Sequence, residues 1–515
     1  MSDIILINPK LNVLYSFDFL VAKSIPLSLG YIAAYLQERN YTVQIIDEEV
    51  EVLSERKLRE ITADKRQLFG ISCLTPTAGR AYQLSGLIKS VFPSSTVILG
   101  GIHCTALPEE ALAHSSVDLV VRGEGEPVIE EIVCRHHQGK DFTNIPSCSY
   151  RRNGGIVHNP VAPLIDIDSL PNIPFHMFDS KVYDMGFMFS SRGCPYDCAF
   201  CSQRAVNGKT FRYRSTEKVI AELKALTAAY QPSNIVFLDD IFTVNKKRVR
   251  ELCTAMVRAG LHTRAEYSIT TRGDCIDQEI LTMLRSANFK GLNVGVETAS
   301  DVLMQVINKN ESVSDIVKGI RLAQQHGFTI DTTFIYGIPG ETRADRVESL
   351  RLATFLDVDK ARFNNATPYP GTKFYEIARR ENNLNIVGHW ENFTPTGVLA
   401  SSNPDAAALP YYPQGSTPQE IIRDVIQANM LYFLAPKRLG RLFRNLFDRR
   451  GTKWLVLPQG WWASPKCIIG IFQVAALSVK RLFLLMIWGT QGQLLTQFKT
   501  NKPEESESTK FYSLS

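Results

Sequence analysis

Short apolar runs recur along the first 150 residues, each followed by a stretch whose apolar positions repeat at helical spacing. Ile4–Ile7, Val43–Ile46, Leu68–Ser72, Thr96–Leu99 and Leu119–Val121 read as five buried strands, with helices expected over Leu27–Arg39, Ala78–Val91 and Glu126–His137. This alternation predicts a parallel sheet with helices on both faces. A proline-punctuated stretch, with Pro163, Pro171 and Pro174, reads as a linker over 151–184. A second series then opens, with strands expected at Phe187–Ser190, Asn234–Leu238, Glu266–Thr270, Gly291–Val296, Thr329–Tyr336 and Ala361–Ala366. Helical patterns such as Thr216–Tyr230 and Asp277–Ala287 separate them, and six such repeats predict a partial barrel. The fold class expected is α/β: a doubly wound parallel sheet over 1–150, the linker, and a partial (β/α)6 barrel over 185–380. A mainly helical region follows over 381–500, then a polar tail over 501–515 expected to be disordered.

Composition narrows the function without naming it. Of 515 residues, 44% are hydrophobic and 21% charged, and the net charge of +5 gives no concentrated basic face of the kind nucleic acid requires. Met1-Ser2-Asp3 leads straight into an apolar strand, as expected of a cytoplasmic chain without a secretory signal. Seven cysteines (73, 104, 134, 148, 253, 275 and 467) are scattered, mostly in apolar runs, and read as reduced core thiols.

Candidate chemistry gathers at the expected carboxyl ends of strands, where open α/β sheets bind ligands. In the first unit these ends carry Asn8-Pro9, Thr75 within Leu74-Thr75-Pro76-Thr77, Gly100-Gly101-Ile102-His103 and Gly123-Glu124-Gly125-Glu126. Paired glycines let backbone approach a bulky ligand, and no dinucleotide fingerprint follows the first strand. In the second unit the first strand runs into Ser191–Gln203, SRGCPYDCAFCSQ, with the spacing Cys194-x-x-x-Cys198-x-x-Cys201. Three thiolates on one tight loop can hold three irons of a cubane and leave the fourth open. Zinc is the alternative, but a structural zinc site normally closes with four ligands, and no fourth cysteine or evident histidine lies nearby.

This loop resembles the signature of the radical S-adenosylmethionine (radical SAM) superfamily. Companion segments follow in order: Phe200 before the last cysteine, Phe237-Leu238-Asp239-Asp240, Val294-Gly295-Val296-Glu297 and Tyr336-Gly337-Ile338-Pro339-Gly340. The resemblance implies that Cys194, Cys198 and Cys201 ligate a [4Fe–4S] cluster. It also implies that Phe200, Asp239, Asp240, Glu297, Gly337 and Pro339 lie around S-adenosylmethionine. The first unit resembles the cobalamin-binding domain that precedes many such enzymes, so Asn8, Pro9, Thr75, Gly100, Gly101, His103, Gly123 and Glu124 become cobalamin-site candidates. The Asp-x-His-x-x-Gly element that supplies a cobalt ligand elsewhere is missing, because Asn8-Pro9-Lys10-Leu11-Asn12-Val13 stands after the first strand. His103 is not thereby assigned to cobalt.

The resemblance spans about residues 1–380 and implies an enzyme that transfers a methyl group to an unactivated carbon, with a donor such as flavodoxin or ferredoxin. Oxidative ring closure of the magnesium-protoporphyrin monomethyl ester cyclase type is the alternative. A non-catalytic cobalamin sensor or carrier would have no need of the cysteine triplet. A hydrophobic small-molecule substrate is expected from the aromatic content of Leu431–Trp488, including Trp454, Trp461, Trp462 and Trp488. The apolar run Cys467–Val479 is broken by Lys480-Arg481 and is too short to span a bilayer, which leaves peripheral membrane contact as its alternative to packing on the barrel.

Overall fold

In the first sheet, successive side chains leave on opposite faces and both faces are buried. Ile5, Ile7, Phe69, Ile71, Val97 and Leu99 pack under the helix Ala78–Val91. Ile4, Leu6, Leu68, Ile98, Leu119 and Val121 pack under Leu27–Gln37 and Glu126–His137. Each such buried side chain contributes about 1.5–3 kcal/mol, which is why these runs read as continuously apolar. The computed structural model describes residues 2–11, 23–385, 390–400, 408–435 and 437–438. Its first sheet has the parallel order Val43–Asp47, Ile4–Asn8, Leu68–Ser72, Thr96–Gly100, Leu119–Val121. An antiparallel hairpin, Cys148–Arg152 and Gly155–His158, extends its edge.

That hairpin occupies the start of the stretch read as a linker. The remainder is no loose tether either. Ile167, Leu170, Ile173, Phe175 and Phe178 are buried, in one hydrophobic cluster with Leu27 and Tyr31 of the first unit and Val219 and Leu223 of the second. Prolines there bend the chain, while the apolar residues between them anchor it.

The second sheet has six parallel strands in sequence order: Phe187–Met188, Asn234–Phe237, Glu266–Thr271, Phe289–Glu297, Thr329–Tyr336 and Lys360–Asn365. Helices cover one face. Five of them start on a side-chain cap, from Ser215, Asn245, Asp277, Ser312 and Thr342, each accepting a backbone N–H in the first turn. The last strand is closed at its edge by the helix Pro418–Phe433. Its Asn429 accepts from Phe363 N at 3.2 Å and donates to Phe363 O at 2.7 Å, as a neighbouring strand would. The tail over 501–515, most of the C-terminal region and all four tryptophans cited above lie outside the described residues.

Candidate cofactor cavity and cysteine loop

Glycine at 193 starts the cysteine loop for a steric reason. Its φ is +88°, and a Cβ there would fall 2.0 Å from Thr210 O. Its N–H donates to Asp240 Oδ2 at 2.8 Å. Ala199, between the second and third cysteines, donates to Ile307 O at 2.7 Å and accepts from Phe374 N at 2.9 Å. Asn308 Nδ2 donates to Asp197 O at 2.6 Å. The loop is thus pinned from both sides, with Cys194, Cys198 and Cys201 half-buried.

Burial pushes the Cys198 thiol up to about 11 and Cys201 to about 12, while Lys309 and Arg272 pull Cys198 the other way. Thiols so desolvated become ligands by exchanging the proton for a cation. Among the described residues no three His, Cys, Asp or Glu side chains are gathered closely enough to hold a single ion. Three neighbouring thiols spread along one loop, with two cations behind them, do suit the corners of a [4Fe–4S] cluster, which carries negative charge.

The barrel's strand ends divide their tasks. Asp239 is buried and fully engaged: Oδ1 accepts from Ser190 N at 2.7 Å, and Oδ2 accepts from the Ser190 and Ser191 hydroxyls at 2.6 Å each. Arg248 adds an ion pair at 3.3 Å. Asp239 therefore anchors the chain entering the cysteine loop, whereas Asp240 lines the cavity described next. Glu297 has a left-handed φ of +66° and pairs with Lys309 Nζ at 3.3 Å, beside Cys198. Phe200 is half-buried and packs with Phe374 and Tyr411. Gly337, at φ +97°, donates to Glu341 Oε2 at 2.5 Å, and burial pushes the Glu341 carboxyl up to about 8. Pro339 is buried in the same turn.

A cavity of about 410 Å³ lies between the two units. One wall is the carboxyl end of the first sheet, with Gly70, Gly100, Gly101, Gly123 and Glu124. The other is the segment around the cysteine loop, with Arg192, Ser202, Gln203, Asn207 and Asp240. A Cβ on Gly100 would meet only ordinary contacts, Val121 O at 3.8 Å and Val121 Cβ at 3.9 Å. Its bareness serves the cavity and no protein neighbour. Gly101 differs: at φ +123° its Cβ would strike Cys73 O at 2.7 Å. A flat-floored cradle walled by glycines suits a bulky planar group such as a corrin.

The walls are joined by charge. Arg192, next to the cysteine loop, reaches Glu124 at 3.1 Å and Glu126 at 2.8 Å. Arg212 grips both oxygens of Glu124 at 2.9 Å. So Glu124 lines the cavity as a tied carboxylate, with no oxygen left over for a strong new partner.

The other first-unit candidates sit elsewhere. Asn8 donates to Asp47 Oδ1 at 2.8 Å, and Pro9 is buried beyond it. His103 is fully buried, 3.4 Å from Thr75 Oγ1 and 3.5 Å from Glu110 Oε1. None of these four lines the cavity. Sequence reading passed over Gly70, Arg192 and Arg212. The first had a signal, because a glycine inside an apolar strand marks a close approach. The arginines' role depends on cross-domain pairing and had none.

The radical SAM superfamily model matches residues 188–353, and the B12-binding domain model matches 20–133. An uncharacterized methyltransferase of Pyrococcus horikoshii is 30% identical over 434 residues, covering 83% of this chain and 91% of its own. The chain belongs to the cobalamin-binding radical SAM family. Its two cofactor-binding domains make the cofactors a [4Fe–4S] cluster, S-adenosylmethionine and cobalamin. The anaerobic magnesium-protoporphyrin IX monomethyl ester cyclase of Rubrivivax gelatinosus is 28% identical over 367 residues, 68% of this chain and 66% of its own. In fold, this radical SAM chain resembles the methyltransferase TsrM from Kitasatospora setae, solved with cobalamin and a [4Fe–4S] cluster. The TM-score is 0.66 at 17% identity, over 85% of this chain and 90% of that one. It also resembles OxsB, solved with aqua-cobalamin and S-adenosylmethionine, with a TM-score of 0.68 at 16% identity, over 87% of this chain and 71% of that one.

Proposed function

We propose that this radical SAM protein transfers a methyl group to an unactivated carbon of a small molecule. The observation that carries the reading is the shared cavity, walled on one side by the glycines of the B12-binding sheet and on the other by residues following the cysteine loop. When bound, the cofactors supply a methyl group and one-electron cleavage of S-adenosylmethionine. The chain's own part is placement. Cys194, Cys198 and Cys201 would hold the cluster; Gly100, Gly101 and Gly123 would receive the corrin. Asp239 and Asp240 fix the backbone on which the cluster loop starts. Arg192 holds the two cofactor walls together and, with them, excludes water. A one-electron donor of the flavodoxin or ferredoxin class completes the requirements.

Relatives named as cyclases favour a second reading, oxidative ring closure. Turnover with S-adenosylmethionine carrying a deuterated methyl group separates the two, using candidate substrates from neighbouring genes. Labelled methyl in the product, with 5′-deoxyadenosine and S-adenosylhomocysteine formed together, is the expected outcome. The protein with all three loop cysteines replaced by alanine should give neither. Oxidised or cyclised product without label would establish the cyclase reading instead.

The aromatic content from which a hydrophobic substrate is expected, over Leu431–Trp488, lies mostly outside the described residues. No helix among the described residues is long and apolar enough to cross a membrane.

A further inference from the structure

Along the barrel strands, every second side chain points away from the helices, and on this inner face many of the residues are polar. The register puts Thr270 beside Asn293, Asn293 beside Asp331, and Asp331 beside Lys360. One row nearer the carboxyl ends, Gly295 lies beside Thr333 and Thr333 beside Arg362. Ala361 and Phe363, flanking Arg362, are buried in the core under the helices, so the arginine side chain leaves the opposite face.

The charges on this face do not cancel. Asp331 is already paired with Lys360 Nζ at 3.1 Å. Arg362 is exposed and, although its charge also acts on Asp331, it makes no hydrogen bond or ion pair with any described residue. Two positions along the same strand and on the same face, Asn364 is 8% exposed, and its Oδ1 has no partner. Asn293 Oδ1, on the same face, is buried without a partner too. A carboxamide left unsatisfied in a protein interior is costly unless something else engages it. Either amide can present its NH2 or its oxygen.

We propose that Arg362, with the Asn364 carboxamide two positions further along the same strand face, binds an anionic group of the substrate, a carboxylate or phosphate, on the inner face of the barrel. A guanidinium grips either anion with two parallel N–H donors, which fixes orientation as well as affinity. The inference rests on the methyl-transfer reading for what happens next, and it replaces an apolar substrate by one with a charged handle.

The test uses the full chain with cluster and cobalamin reconstituted, and radiolabelled inorganic phosphate and acetate as probes in equilibrium dialysis. Saturable binding of either probe is expected, weakened about 10- to 100-fold in Arg362→Leu, as loss of a charge-assisted pair predicts, and only partly restored in Arg362→Lys, which keeps the charge and loses the fork. Preference for phosphate or for acetate tells the two anions apart. Binding that is absent, or equal in the native and Arg362→Leu proteins, overturns the proposal. So does a loss of S-adenosylmethionine binding in Arg362→Leu with probe binding retained, because the anion would then be the cofactor's own carboxylate. Probe binding requires no turnover. Arg362-dependent binding without labelled product therefore counts against methyl transfer alone, and labelled product without such binding counts against the anion site alone.

Discussion

The ring of His103 has no exposed surface and stands edge-on to Trp390, 4.7 Å between centroids, with its two nitrogens toward Thr75 and Glu110. No histidine, cysteine or methionine is among the described residues that line the cavity. A strand-end histidine in the sequence is thus turned into the packing between the first unit and the Trp390 segment. With cobalamin bound and reduced to the cob(II) state, electron paramagnetic resonance should show no nitrogen splitting that depends on His103. A splitting present in the native protein and lost in His103→Ala would place the imidazole on cobalt. The same scale separates Asp239 from Asp240: both hold backbone at the start of the cysteine loop, but only Asp240 lines the cavity, and only a structure shows which carboxylate already has four partners.

Elements were the most legible part of this chain. Ala78–Val91, Glu126–His137, Thr216–Tyr230 and Thr329–Tyr336 match the periodicity to the residue, because local apolar spacing and the fold agree there. Strand Phe289–Glu297 runs longer than expected, since Lys290 and Gly291 interrupt the apolar run at a register shift without ending the pairing. The cysteine triplet was legible because its chemistry is local. The cavity's second wall was not, because Arg192 meets Glu124 only after both units have folded. Nor does local pattern reveal that Asn429 covers the barrel's last strand. Asn429→Ala leaves the Phe363 N–H and C=O without those partners, at a cost of about 1–3 kcal/mol. Hydrogen exchange at the Phe363 amide should accelerate by about 10- to 100-fold if local opening governs it; unchanged exchange would mean that another group protects the strand.

At the scale of the molecule, the joint between the units includes the apolar cluster running from Tyr31 through Phe178 to Leu223 and the ionic clasp around Glu124. Burial alone would raise the Glu124 carboxyl, but hydrogen bonding from Arg212 and the charges of Arg192 and Arg212 outweigh it and hold the group below its usual range. A depressed carboxylate stabilises the folded state above its unfolded value, near 4.3, and that contribution is lost as the pH falls through the lower folded value. Between pH 7 and about pH 3.5, the native protein should therefore lose more thermal stability than Glu124→Gln, with the difference developing below about pH 5. Parallel losses in the two proteins would show that the clasp adds nothing to the joint.

The pins on the cysteine loop also set an order of events during synthesis. Asp197 is held by Asn308 and Lys373, which lie 111 and 176 residues further along the chain. At about 5–20 residues per second, the later of these emerges roughly 10–35 s after the cysteines themselves. Throughout that interval the three thiols stand on a loop whose final fastenings have not been made.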